Sequence, residues 1–468
     1  METYKNFING QWLDSASHEV MEVINPATEE VIAYVQKSQS DDIDQAVEAA
    51  RNALDIWSQM NIEERMDYVD KIRQGLEEHR ETLAQIVSQE LGAPISFSRT
   101  GQIDLAITEI KATLEEMTHY SFEEDVDGSL VIKEPFGVVA CITPWNYPLN
   151  QIQRKITPAL LAGNTVVVKP ASDTPLTAIK FAEIIEQAGL PAGVFNLVTG
   201  SGSVAGDHLA SHPHVDVISF TGSTEVGRGL YQNASDTIKK LVLELGGKSA
   251  MVYLDGGDLN YAIRRSMGTI LYNQGQTCSA LSRLLVPNHR MEEAKELIKT
   301  YYDEKVMIGN PSDESTVIGP MVSQQQKERV LDYIQKGIDE GAEVLVGNQL
   351  IHRKGFYVQP TIFVNVNNQM TIAQEEIFGP VLCVIGYETV DEAIQIANDS
   401  PYGLSGAVVG PDSEALSVAK ALRTGNVFVN RGPRSAKAPF GGYKQSGLGR
   451  ENGLYGLEDY LEIKAIFI

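Results

Sequence analysis

Three cysteines, Cys141, Cys278 and Cys383, are the strongest potential nucleophiles in this 468-residue chain, and their settings differ. Cys141 and Cys383 lie inside the apolar runs VVACIT and PVLCVIGY, where a free thiol behaves as a small buried hydrophobe. Cys278 stands in NQGQTCSALSR, small and polar residues just after an apolar helical pattern. A thiol there can reach a cleft and have its anion hydrogen-bonded. Local composition leaves a structural thiol as open as a catalytic one. The wide cysteine spacing excludes a CxxC redox pair and a compact zinc site, and no HExxH occurs among the eight histidines, so no metal is expected. A cysteine hydrolase would need a histidine base, which spacing alone does not exclude. The chain has no GxSxG elbow to support a serine hydrolase.

Other stretches carry chemistry of a different kind. TPWNYPLNQIQRK sets Trp145 and Asn146 between two prolines, a fixed loop that could aim an amide at an oxyanion or be an ordinary turn. Lys169 ends the strand-like TVVVKP, the place where a side chain faces the ligand crevice of an α/β sheet, although a solvated lysine reads equally. NLVTGSGSVAG approximates a dinucleotide fingerprint through Gly200, Gly202 and Gly206, with a plain βα turn as the alternative. VISFTGSTEVG is more informative, because Gly222, Ser223, Thr224 and Gly227 fall where a strand gives way to a helix N-terminus, whose free N–H groups suit pyrophosphate. LELGGKS fails as a phosphate-binding P-loop, since Val242 stands where that loop requires glycine.

The elements that must position these residues follow from periodicity. Asp41 to Glu90 carries apolar positions at helical spacing and reads as paired helices. From Val138 onward short β-branched runs alternate with helices, the pattern of a parallel α/β sheet. A second α/β section follows Glu244, with SAMVYL, a helix from Tyr261 to Tyr272, RLLVP, a helix from Met291 to Tyr302, strands over Gly341 to Val366 broken by Gly347 and Gly355, and a buried strand at 380–387. The expected fold class is therefore α/β with two parallel-sheet lobes. An apolar fraction of 43% and a charged fraction of 21% fit a chain folded throughout. The formal charge of −24 argues against nucleic acid or an anionic membrane as a partner. No apolar run approaches the ~18 residues of a membrane span, and residues 1–10 carry no signal-like segment, so a cytoplasmic protein is expected.

Seven motifs in order, PWNYP at 144–148, VVVKPAS at 166–172, FTGSTEVG at 220–227, LELGGKS at 243–249, GQTCSA at 275–280, EEIFGP at 375–380 and PFGGYKQSGLGRE at 439–451, resemble the aldehyde dehydrogenase superfamily over nearly the whole chain. The resemblance implies an aldehyde dehydrogenase-like fold with a cofactor-binding domain (1–119 and 136–246), a catalytic domain (247–447) and an oligomerisation element (120–135 and 448–468). It implies Cys278 as nucleophile, Glu244 as general base and Asn146 as oxyanion donor, with NAD or NADP as cofactor. Lys169 would meet a cofactor ribose, Glu376 and Phe378 the nicotinamide ribose, and Gly222 and Ser223 the pyrophosphate. Thr143, Trp145, Ser172, Gly202, Phe220, Thr224, Gly227 and Leu245 complete the implied cofactor surface.

The activity so implied is oxidation of a small-molecule aldehyde to an acid by a homodimer or homotetramer. A semialdehyde dehydrogenase for an anionic substrate is the closest alternative, and a catalytically silent structural member stands further off. Transfer of the acyl group to coenzyme A is disfavoured by Glu244. Three departures bear on specificity. Ser172 stands where NAD-preferring relatives place glutamate, Arg154 where many carry an aromatic residue, and NRGPRSAKAP at 430–439 is short and basic for a segment bordering the aldehyde tunnel. Arg154 is accordingly expected near the aldehyde entrance, where it would favour substrates carrying a distal carboxylate, with an exposed surface arginine as the alternative.

Overall fold

The computed structural model describes residues 2–468. An eight-stranded sheet runs in the order Gly447–Leu448, Lys240–Glu244, Val217–Thr221, Val138–Ile142, Thr165–Lys169, Phe195–Leu197, Asn6–Ile8, Gln11–Leu13. Its five middle strands are parallel and buried along almost their whole length. Runs such as VVACI and TVVVK are apolar at successive positions because helices cover both faces. From Val138–Ile142 the chain winds outward on one side through Thr165–Lys169 and Phe195–Leu197. It then returns to lay Val217–Thr221 and Lys240–Glu244 on the other side.

That reversal leaves a crevice between the carboxyl ends of Val138–Ile142 and Val217–Thr221, the position where open α/β sheets bind ligands. Register places Lys169 opposite Ile142, Ile142 opposite Phe220, and Thr221 opposite Glu244. The residues singled out from sequence on these strands therefore sit along one edge of the sheet.

A seven-stranded sheet forms the second lobe, in the order Glu343–Val346, Thr361–Val364, Val381–Tyr387, Arg283–Pro287, Ala250–Tyr253, Ser405–Val409, Asn426–Val429. A third sheet joins Leu461–Phe467 to Ser129–Pro135 and Glu123–Val126, bringing the chain's end back onto the 120–135 excursion. A small fourth sheet uses residues 3–4, 20–25 and 30–36. Each large sheet has its own apolar core on each face.

The two-lobed α/β expectation holds, with local differences. Asp41 to Glu90 forms three helices, Ser40–Ser58, Ile62–Glu78 and Arg80–Leu91, because Asn61 caps the second and a bend at His79 separates the third. Between Gly341 and Val366 only the antiparallel pair Glu343–Val346 and Thr361–Val364 is strand. Gly347, at φ +94° and closely backed by the Pro360 carbonyl, turns the chain out of the sheet. Among the described residues no helix is long and apolar enough to cross a membrane.

Candidate active site

Cys141 and Cys383 are fully buried in their strands, whereas Cys278 is partly accessible. The loop presenting Cys278 follows the helix Leu259–Leu271, which is stopped by three successive left-handed residues, Asn273 (φ 51°), Gln274 (φ 56°) and Gly275 (φ 72°). A Cβ at position 275 would run into the Gly379 backbone, so glycine permits the close approach as well as the turn. Side-chain amides hold the two non-glycine residues in this costly conformation. Asn273 donates to the carbonyls of Asn146 (2.9 Å) and Gln276 (3.1 Å), and Gln274 to those of Gly92 (3.0 Å) and Pro320 (3.1 Å). The sequence reading missed these anchors, whose signal is the amide-rich NQGQ before the cysteine.

The Asn146 side chain reaches the same loop, donating to the Gln276 carbonyl at 3.0 Å. One amide hydrogen is so used and the other remains for a substrate oxygen. Trp145 meets Phe378 edge to face, with ring centroids 5.3 Å apart, and Phe378 itself sits at φ 60°. The Thr143 amide donates to the Lys169 carbonyl at 3.1 Å, continuing the ladder past the strand end.

A cavity of about 170 Å³ opens between these loops, bounded by Trp145, Asn146, Gly222, Cys278, Glu376 and Phe378 among others. It brings the thiol to one space with Trp145, Gly222, Ser223, Leu245, Glu376 and Phe378 of the expected cofactor residues. The other expected cofactor residues lie along the sheet edge beyond its walls. Ser223 caps the helix Thr224–Asn233 through Val226 N, leaving that helix's positive end toward the crevice. A Cβ on Gly222 would strike the Phe220 ring, and one on Gly227 would come within 2.7 Å of Leu245. Thr224 donates to the Gln445 carbonyl at 3.3 Å. Lys169 Nζ donates to the carbonyls of Pro170 (2.9 Å) and Gly200 (3.2 Å), which leaves one ammonium hydrogen for a ligand oxygen. Burial pulls its pKa down to about 8. Ser172 Oγ donates to the same Gly200 carbonyl at 3.2 Å, and Gly202 is exposed beyond it.

Glu376 Oε1 accepts from Gly247 N at 2.9 Å, and burial raises its pKa to about 7. The double glycine of LELGGKS is thereby explained. A Cβ on Gly246 would meet Glu376 Oε2 at 2.5 Å, and one on Gly247 would collide with the Cys278 carbonyl. The Cys278 thiol is pushed up to about 12, first by desolvation and then by the Glu376 and Glu244 carboxylates.

Glu244 is 3% exposed, and neither of its carboxylate oxygens has a hydrogen-bond partner among the described residues. Burial and the neighbouring Glu451 hold it well above the usual carboxylate range. Lys155 lies close by, donating to Thr221 Oγ1 (2.7 Å) and Glu451 Oε1 (2.8 Å). Lys155 and Glu451 both fall inside the sequence motifs, yet only the fold shows that they meet.

Arg154 is 7% exposed, and its guanidinium is taken by Glu109 through Nε (2.8 Å) and Nη2 (2.7 Å). The structure thus spends Arg154 on a buried carboxylate rather than on an aldehyde entrance. A second cavity, of about 210 Å³, reaches Ser279, next in the chain to the nucleophile, and is lined by Phe440 and Arg434 but not by Arg154.

The profile of the Aldehyde dehydrogenase family matches residues 12–466. A Staphylococcus aureus protein (strain bovine RF122 / ET3-1), named provisionally for the same family, is 46% identical over 466 residues, covering 99% of this chain and 98% of its own. An aldehyde dehydrogenase C mutant from Pseudomonas syringae, solved with NAD+ and octanal, superposes with a TM-score of 0.97 at 44% identity, over 99% of this chain and 97% of that one. A betaine aldehyde dehydrogenase from Staphylococcus aureus, solved with NAD+, gives a TM-score of 0.95 at 38% identity, over 99% and 94% of the two chains.

Proposed function

The chain belongs to the aldehyde dehydrogenase family, and from that premise we propose that it oxidises an aldehyde to the acid with NAD or NADP, using Cys278 as nucleophile, Asn146 as oxyanion donor and Glu244 as base. The observation that carries the Cys278 and Asn146 assignments is the cavity that both line together with Gly222, Glu376 and Phe378, while Glu244 is supported by a buried, unpartnered carboxylate whose charge acts on the Cys278 thiol. Relatives solved with NAD+ support that cofactor. Lys169 and Ser172 would hold its adenosine ribose, Gly222 and Ser223 its pyrophosphate, and Glu376 its second ribose. When bound, the cofactor supplies a cationic hydride acceptor beside the thiol.

The chain's own groups do the rest. The Cys278 thiolate adds to the aldehyde carbon, forming a C–S bond as the carbonyl π electrons move to oxygen. The free Asn146 amide hydrogen stabilises that alkoxide. Collapse of the alkoxide restores the C=O bond and expels hydride, which leaves a thioester on Cys278. Glu244, ionised, takes a proton from water as its oxygen attacks the thioester carbon. The C–S bond then breaks, and the acid departs from a restored thiolate.

Around this site we propose the division into units at 1–119 and 136–246, 247–447, and 120–135 with 448–468, which follows the three main sheets apart from Gly447–Leu448, an edge strand of the eight-stranded sheet. Exposed apolar residues on the terminal strand support a homo-oligomer, and three unpaired cysteines fit a reducing cytoplasm. The decisive experiment incubates the purified protein with NAD and aldehydes and follows reduced nicotinamide. Turnover that survives Cys278→Ser would overturn the assignment.

A further inference from the structure

Glu109 is buried and accepts from two arginines at one oxygen. Oε1 takes Arg154 Nη2 at 2.7 Å and Arg434 Nη2 at 2.8 Å, while Oε2 takes Arg154 Nε at 2.8 Å and Gln153 Nε2 at 2.9 Å. Arg154 already neutralises this carboxylate through a paired, two-point contact. Lys155 and Glu451 neutralise one another nearby at 2.8 Å. Arg434 is therefore a second cation on a carboxylate that Arg154 already pairs.

Arg434 is also the one of the two arginines that reaches the cavity. The Arg154 and Arg434 side chains are 6% and 36% exposed. Only Arg434 lines the 210 Å³ cavity, whose wall runs from Ser279, the residue after the nucleophile, past Phe440 to Ser435. Both guanidiniums lie over the Phe440 ring, at 4.8 Å for Arg154 and 5.6 Å for Arg434, so the aromatic ring fixes where the second one points. Arg434 makes a single hydrogen bond to the described residues, through Nη2. Its remaining N–H groups are in place for a ligand.

We infer that Arg434 is a specificity residue that binds a carboxylate at the far end of the aldehyde, so that the preferred substrates are short aldehydes bearing a terminal carboxylate. This inference rests on the proposed aldehyde oxidation at Cys278. The one guanidinium that lines the cavity matches the single charge of a carboxylate, whereas a phosphate dianion would keep one charge unpaired in a partly desolvated site. The guanidinium edge left free by Glu109 suits a planar carboxylate, and the serine hydroxyls along the wall can donate to it.

The test compares 4-oxobutanoate with butanal, which differ by the terminal carboxylate. The ratio of their kcat/KM values should favour 4-oxobutanoate in the natural protein. Arg434→Gln should lower that ratio about tenfold or more, mainly through KM for the acid, with Arg434→Lys in between. Butanedioate, which cannot be oxidised here, should slow alkylation of Cys278 by iodoacetamide in the natural protein and not in Arg434→Gln. A natural protein that prefers butanal, or a ratio unmoved by Arg434→Gln, overturns the inference while leaving aldehyde oxidation standing. Failure to oxidise either compound, or any other aldehyde, strikes the underlying reading instead.

Discussion

The Asn146 side-chain amide and the Gln276 carbonyl stand 3.0 Å apart, so one hydrogen bond ties the loop after Val138–Ile142 to the loop that carries Cys278. The expected oxyanion donor thus also sets the position of the nucleophile. Asn146→Ala removes both contributions and should lower kcat on the order of a hundredfold, with a smaller change in KM. Steady-state kinetics would decide it, and an unchanged kcat would take Asn146 out of the chemistry.

Glu244→Gln should leave acylation intact and stall hydrolysis. Rapid mixing should show a burst of about one reduced cofactor per site followed by slow turnover, with the acyl group recoverable on Cys278. The raised pKa of Glu244 also fixes a pH dependence. The carboxyl is mostly protonated, and hence inert as a base, until the pH climbs through its elevated value, so hydrolysis in the natural protein should accelerate toward alkaline pH. A hydrolysis rate that falls with rising pH would contradict this environment.

Much of the site was legible because its residues fall at strand ends. VVACIT, TVVVKP and VISFTG read as buried strands, and Lys169 at the end of one, with Asn146 and Gly222 just past the other two, lie along one sheet edge. What periodicity cannot show is which distant side chains meet. Glu109, on the helix Leu105–Met117, receives Arg154 and Arg434 from positions 45 and 325 residues away. The Asn273 and Gln274 conformations were equally hidden, because left-handed backbone at non-glycine residues is imposed by contacts with Asn146, Gly92 and Pro320. Arg154 illustrates the gap: its place in the chain put it near the aldehyde path, and a buried partner invisible to sequence took its charge.

Glu376 should govern the reactivity of the free thiol. After burial, its carboxylate is the largest influence raising the Cys278 pKa, and it titrates at about 7 itself. In cofactor-free protein, Glu376→Gln should therefore speed alkylation of Cys278 above neutrality, where the natural residue is charged. It should have little effect at about pH 6, where that residue is mostly protonated. The measurement is the ratio of iodoacetamide rate constants from about pH 6 to about pH 9. A ratio flat across that range would mean that the two groups do not interact.

The strand Leu461–Phe467 is an edge strand with Ile463 72%, Phe467 83% and, just beyond, Ile468 93% exposed. A long apolar edge of this kind calls for a covering partner. Light scattering should find a dimer or tetramer, and Ile463→Asp with Phe467→Asp should shift it toward monomer. A natural protein that is monomeric at micromolar concentration would remove the oligomerisation role of this strand.

Cofactor choice turns on Ser172. Its hydroxyl and the Lys169 ammonium both donate to the Gly200 carbonyl, each at 3.2 Å, so residue 172 stands beside the group expected to meet the adenosine ribose. A glutamate there would accept from the ribose 2′-OH and repel a 2′-phosphate. Two like charges ~4 Å apart cost on the order of a few kcal/mol near a protein surface, enough to set a preference of a hundredfold or more. Serine brings no such charge and accommodates a bare ribose as well, so the protein should use NADP alongside NAD rather than NADP alone. With one good aldehyde, kcat/KM for the two cofactors should differ by less than about a thousandfold, some 4 kcal/mol. A stronger NAD preference would mean that another group excludes the phosphate, and Asp173, whose charge acts on Lys169, is the first to examine. Ser172→Glu should then weaken NADP far more than NAD, and equal losses for both cofactors would show that residue 172 does not face the ribose.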